Sequence, residues 1–208
     1  MQSNPPKLRS FVVIAVLMAF LPCWCAADTM LSWTAGWDEF NQPLNYQNSY
    51  LSFSAPNSTR WNVTYHLVGA APLSTHDVGI HEFLDLNASC TGLSFGQFSP
   101  ETGCAIVTRQ GHTAKVVDFG FGMLTTDASG NGELMVEVNG VDPGSYNLEF
   151  DVRSGATCPP ACDVIYQSPG PEFTDYVTLD FPVPEPNSWL LFGTASVGVL
   201  RLAYRKLT

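Results

Sequence analysis

The sequence predicts an all-β fold: an antiparallel β-sandwich flanked by an N-terminal signal helix and a short C-terminal transmembrane helix. Three observations predict it. Four segments alternate apolar and polar residues with period two, turn-forming clusters lie between them, and no long helical stripe occurs outside the two ends.

Taken in order, the chain opens on a targeting segment. Lys7 and Arg9 precede an apolar run from Phe11 to Leu21, Pro22 breaks it, and Cys25-Ala26-Ala27 offers small residues for cleavage. Residues 1–27 are therefore expected to be a signal peptide removed by signal peptidase. A lipoprotein cysteine at Cys23 or Cys25 is the rival, but Pro22 and Trp24 are poor residues to precede one.

Residues 28–182 are one domain's worth of chain, long enough to bury a core. Trp61, Val63, Tyr65 and Leu67 alternate with Asn62, Thr64 and His66. Leu134, Val136 and Val138 alternate with Glu133, Met135 and Glu137. Tyr146, Leu148, Phe150 and Val152 alternate with Asn147, Glu149, Asp151 and Arg153, and Val177, Leu179 and Phe181 alternate with Thr178 and Asp180. Each set predicts a strand with one apolar and one polar face, and together they predict two packed sheets. Turns are expected at 128–132, at Asn139-Gly140 and at 142–145, with Gly130-Asn131-Gly132 forming a hairpin. Pro182, Pro184 and Pro186 then exclude further sheet and predict a stiff extended spacer.

Residues 183–208 are expected to reach a membrane. Trp189 to Leu200 is free of charge but spans 12 residues, against roughly 20 for a full crossing. Arg201 would snorkel to the interface, and Arg205 and Lys206 complete a positive flank that stays cytoplasmic. Pro-Glu-Pro at Pro184, Glu185 and Pro186, this short apolar run and the basic end together resemble the bacterial PEP-CTERM sorting tail. The resemblance implies processing by an exosortase, a membrane transpeptidase-like enzyme, near Pro184–Pro186. It also implies delivery through the inner membrane to the cell surface or matrix, in hosts that commonly make exopolysaccharide. A GPI signal usually lacks terminal basic residues and fits less well.

All 19 acidic residues lie between Asp28 and Glu185, where Arg60, Arg109, Lys115 and Arg153 are the only basic ones. A net charge of about −15 on the exported part disfavours nucleic acid and anionic lipid as partners. Four cysteines remain after signal cleavage, which allows three disulfide pairings. Local closure favours Cys90–Cys104 and Cys158–Cys162.

Candidate chemistry is sparse. His76, His81, Glu82 and Asp85 lie close together in sequence, with His112 and Asp118 following. Val78-Gly79-Ile80-His81-Glu82-Phe83-Leu84-Asp85, with Cys90 and then Gly96-Gln97-Phe98-Ser99-Pro100, resembles the copper–zinc superoxide dismutases. That likeness implies a sandwich of immunoglobulin-like or dismutase-like type. It also implies a defective copper site, because Gly79 and Gln97 stand where imidazoles are needed and only His81 survives. Asp127 to Glu133 has a faint likeness to a calcium loop without the full ligand series. Asp118-Phe119-Gly120 stands without any other kinase feature, and no Gly-x-Ser-x-Gly elbow is present. Trp33, Trp37, Phe40, Tyr46 and Tyr50 are expected in the core, or else on a sugar-stacking face.

These observations lead to a noncatalytic surface or matrix protein with no catalytic residue, no metal and no cofactor, whose domain folds without metal. A carbohydrate- or cation-binding module is the alternative, and a degenerate dismutase-like metalloprotein is the second.

Overall fold

The computed structural model describes residues 28–183 apart from 37, 39–41, 55, 58–59, 102 and 156–162. The expected signal peptide, the Pro184–Pro186 motif, Arg201, Arg205 and Lys206, and the Cys158–Cys162 pair lie outside the described residues.

The described chain forms β1 (Asp28–Ser32), β2 (Thr34–Ala35), β3 (Tyr50–Ser54), β4 (Arg60–Leu67), β5 (Thr75–Leu84), β6 (Cys104–Arg109), β7 (His112–Thr125), β8 (Gly132–Asn139), β9 (Gly144–Arg153), β10 (Val164–Ser168) and β11 (Val177–Phe181). They pair antiparallel in two sheets. The first runs β1-β3-β4-β8; the second runs β2-β10-β9-β5-β7-β6, with β11 beside β9. The four strands expected from alternation are β4, β8, β9 and β11. Among the described residues no helix is long and apolar enough to cross a membrane.

The core lies between the sheets and is rich in aromatic rings. Phe53 and Trp61 of the first sheet meet Phe150 of the second at centroid distances of 5.5 and 5.9 Å, and Trp61 meets Phe181 at 5.7 Å. Trp33 marks the point where the chain passes from β1 in one sheet to β2 in the other. Its ring stacks on Tyr65, and its Nε1 donates to the His66 carbonyl. Trp33 is thus a core residue. Tyr50 lies against His66 and Tyr46 turns an edge to Tyr166, so these aromatics form no shared platform; Trp37 and Phe40 are outside the described residues.

The expected hairpin at Gly130-Asn131-Gly132 is corrected by the topology. After β7 the chain does not fold back beside it, and β8 pairs with β4 in the opposite sheet. The turn is an intersheet crossing. The Asp127 carboxylate caps it by accepting from the Ser129 and Asn131 amides, and Ala70 N bonds to Gly130 O across it.

The connection from β5 to β6 is the longest one described. A Cys90–Cys104 disulfide closes it, with Cα atoms 5.6 Å apart, as local closure predicts. Midway, Gln97 lies along the free edge of β8: its Nε2 donates to Glu137 O, and its Oε1 accepts from Asn139 N. Phe95 beside it is buried against Trp61 and Phe119.

A buried side-chain bond also joins the sheets through the core. Tyr65 of β4 donates its hydroxyl to the Gly79 carbonyl of β5 at 2.6 Å, beside the irregularity in β5–β7 register at Val78/Gly79. Tyr65→Phe would leave that buried carbonyl without its donor. Urea denaturation should report a loss of about 1–3 kcal/mol; an unchanged midpoint would mean that this bond does not join the sheets.

Candidate functional site

The second sheet has an unusual outer face. On β9, Leu148, Phe150 and Val152 point into the sandwich, so Glu149, Asp151 and Arg153 must lie on the other side. On β5 the same rule sends Val78 and Ile80 inward, together with His76 and Glu82, and sends Asp77, Gly79, His81 and Phe83 outward. Registers then build a grid. His81 sits between Asp118 of β7 and Glu149 of β9, Gly79 between Gly120 and Asp151, and Asp77 between Met123 and Arg153. Such a face is usually solvated, yet His81 is 6% exposed, Arg153 3%, and Glu149 and Asp151 0%.

Two glycines lie beneath the bond between Arg153 and Glu101. The Arg153 guanidinium lies over Gly79, where a Cβ would overlap the Phe119 carbonyl at 2.3 Å and come within 3.1 Å of Nη2. The Glu101 carboxylate, reaching in from beside β7, lies over Gly120, where a Cβ would overlap it. Paired glycines therefore clear a lane across β5 and β7 for an arginine–glutamate bond. The guanidinium also binds Asp151 at 3.0 Å and Asp77 at 3.2 Å, with Asp118 at 3.7 Å.

His81 forms the adjoining knot. Its Nε2 lies 2.6 Å from Asp118 Oδ1, and its Nδ1 lies 2.9 Å from Asp151 Oδ2 and 3.1 Å from Glu149 Oε1. Burial works against charge on the imidazole. The Asp151 and Asp118 carboxylates outweigh it and hold the proton well above the usual histidine range. Burial likewise opposes charge on Asp151, but Arg153 and His81 hold it down to about 2. Asp118 is lowered against its burial chiefly by His81. For Asp77 burial prevails over Arg153, and the carboxyl is pushed up to about 7. His81, Glu149 and Asp151 each offer a donor atom within 4.8 Å of the others, a spacing that a metal ion would fit.

The histidine–acid cluster expected from sequence is thus partly assembled and partly dispersed. Asp118 joins His81. His76 and Glu82 face the opposite side of β5, while Asp85 and His112 are exposed. Gln97 is committed to the β8 main chain and Gly79 lies under Arg153, so neither position can supply what a copper site would need. In the stretch likened to a calcium loop, Asp127 Oδ1 accepts two backbone amides of its own turn. Sequence reasoning missed Glu149, Asp151, Arg153 and Glu101. The signal was present: three charged side chains in alternate positions on one strand, one of them among four basic residues in an acidic domain.

Two measurements check this arrangement. Arg153→Met leaves buried carboxylates uncompensated and should cost about 3–5 kcal/mol in chemical denaturation. Arg153→Lys should recover little, since a point charge cannot serve several partners through a planar fork. Glu82 supplies the pH dependence: burial raises its carboxyl to about 7 from an ordinary 4.5. Because the folded value is the higher, its favourable share of stability is whole below about pH 4.5 and is lost as pH rises through about 7. Glu82→Gln should therefore stabilise by about 2–3 kcal/mol at pH 8 and change little at pH 4. Equal effects at both pH values would contradict the assignment.

Comparison with known proteins adds a second functional element outside this face. The chain matches no curated protein and no solved structure. Residues 182–206 match the family model of the PEP-CTERM protein-sorting motif, a stretch that contains Pro184, Glu185, Pro186, Arg201, Arg205 and Lys206. That motif implies export, a C-terminal membrane anchor before processing, and an exosortase-type processing partner. Directly after the last strand of its sandwich, the chain carries a PEP-CTERM protein-sorting motif.

Proposed function

We propose that this is a noncatalytic exported protein, whose sandwich domain is delivered to the cell surface or extracellular matrix by its sorting tail. The observation that carries the reading is the motif at residues 182–206. It begins where β11 ends at Phe181, so the tail can be recognised and removed without taking any described core residue with it. Residues 1–27 act as a signal peptide cleaved by signal peptidase, and the apolar run from Trp189 holds the chain in the inner membrane until processing. Exopolysaccharide is the expected surrounding material, and the acidic domain suits that setting better than nucleic acid or anionic lipid.

A binding module remains the second reading, and one observation directs it toward cations rather than sugars. Trp33 is spent in the core and Tyr50 on His66, whereas the outer face of the second sheet gathers acidic side chains.

Replacing Pro184, Glu185 and Pro186 with alanine should leave unprocessed, full-length protein in the inner membrane, read by fractionation and immunoblotting. Maturation and surface arrival at the normal rate would overturn the sorting assignment.

A further inference from the structure

We propose that His81, Glu149 and Asp151 form a buried binding site for one zinc ion, with Asp118 and Arg153 as the groups that orient the ligands. The site lies on the outer face of the second sheet and is independent of the sorting tail.

Its spacing is the first ground. Nδ1 of His81 stands 3.1 Å from Glu149 Oε1 and 2.9 Å from Asp151 Oδ2. Nitrogen and oxygen ligands bound to zinc at ~2.0–2.1 Å in a tetrahedron are separated by about 3.3 Å. The donors need shift by only a few tenths of an ångström, and β5 and β9 hold them in direct register.

The surrounding groups are the second ground. Asp118 Oδ1 lies 2.6 Å from Nε2, the far side of the imidazole. A carboxylate there fixes the tautomer that turns the Nδ1 lone pair toward a metal, as in carboxylate–histidine–zinc relays. Arg153 grips Asp151 through Oδ2 at 3.0 Å and keeps that carboxylate in place. The other oxygen of Asp151, Oδ1, has no hydrogen-bond partner although the residue is fully buried. A buried acceptor left in that condition is costly, and coordination by both oxygens of Asp151 would satisfy it.

Charge is the third ground. Asp77, Glu101, Asp118, Glu149 and Asp151 surround one guanidinium and one imidazole. A divalent cation between His81, Glu149 and Asp151 would offset the excess of negative charge. Zinc fits better than calcium, which takes six to eight oxygens at longer range and has little use for an imidazole. Three protein donors leave a fourth position for water. On binding, the proton held between Nδ1 and the two carboxylates leaves to solvent as the ion takes its place.

The test uses the full-length protein in detergent, stripped with chelator and titrated with zinc against a chromophoric competitor. One equivalent should bind and raise Tm. His81→Ala and Glu149→Gln should abolish the stoichiometric phase, and Asp118→Asn should weaken it about 10–100-fold. The double variant His66→Ala/His112→Ala, which removes two surface imidazoles, should bind as the parent does. Zinc X-ray absorption on the unaltered protein guards against variants that fail to fold: it should show nitrogen and oxygen ligands with a single imidazole. Sulfur ligation, more than one imidazole, undiminished binding by folded His81→Ala, or a site that takes calcium and refuses zinc would each overturn the proposal. So would the absence of a stoichiometric phase in the parent protein.

Discussion

Arg153 ends β9 with its guanidinium buried on the outer face of the second sheet, among carboxylates from β5, β9 and the β5–β6 connection. Withdrawing a guanidinium from water costs several kcal/mol, which only well-placed acceptors offset. The demand fixes more than one side chain. Gly79 must lie beneath it and Gly120 beneath Glu101, so the registers of β9 with β5 and of β5 with β7 are constrained together. A slip of one residue would bring the side chain of Val78 or Ile80 into the lane and turn apolar groups outward along the whole strand. The disulfide at Cys90–Cys104 closes the connection only three residues beyond Glu101, which keeps that carboxylate within reach.

The same interaction accounts for the character of the site. Antiparallel sheets usually leave one face in water, where exposed charges are screened and interact weakly. Here the polar face of the central strands is sequestered, and the charges act on one another in a medium of lower dielectric. His81 is held protonated and Asp151 ionised by that proximity, and Asp77 is pushed the other way by the same burial. Beside this knot, Phe83 and Val116 pack under Phe173 in a small apolar cluster, so the outer face is partly a second core.

Much of this could be read in the residues beforehand. Strict alternation from Trp61 to Leu67 and from Tyr146 to Val152 sufficed for strands, because period two has one geometric solution when one face is buried. Cys90 and Cys104 lie close enough in sequence to pair through local closure. The tail at 182–206 was legible for a different reason: a sorting signal is recognised as a linear string, so its information is in the order of residues. Alternation also put Glu149, Asp151 and Arg153 on the polar face of their strand, but it could not tell that this face is buried. The hairpin expected at Gly130-Asn131-Gly132 failed because turn chemistry reports a change of direction without saying which sheet receives the next strand.

Sequence by itself therefore determined the strand character, the acidity, the local disulfide and the sorting motif, all of them properties set by neighbours along the chain. The tertiary structure alone decided that β7 hands over to β8 in the opposite sheet, that Gly79 and Gly120 align under an ion pair, and that His81 meets Asp118, Glu149 and Asp151. Those outcomes depend on which strands lie side by side and what covers them. Such long-range pairings are selected by the burial and charge balance of the whole sandwich, and no local pattern encodes them.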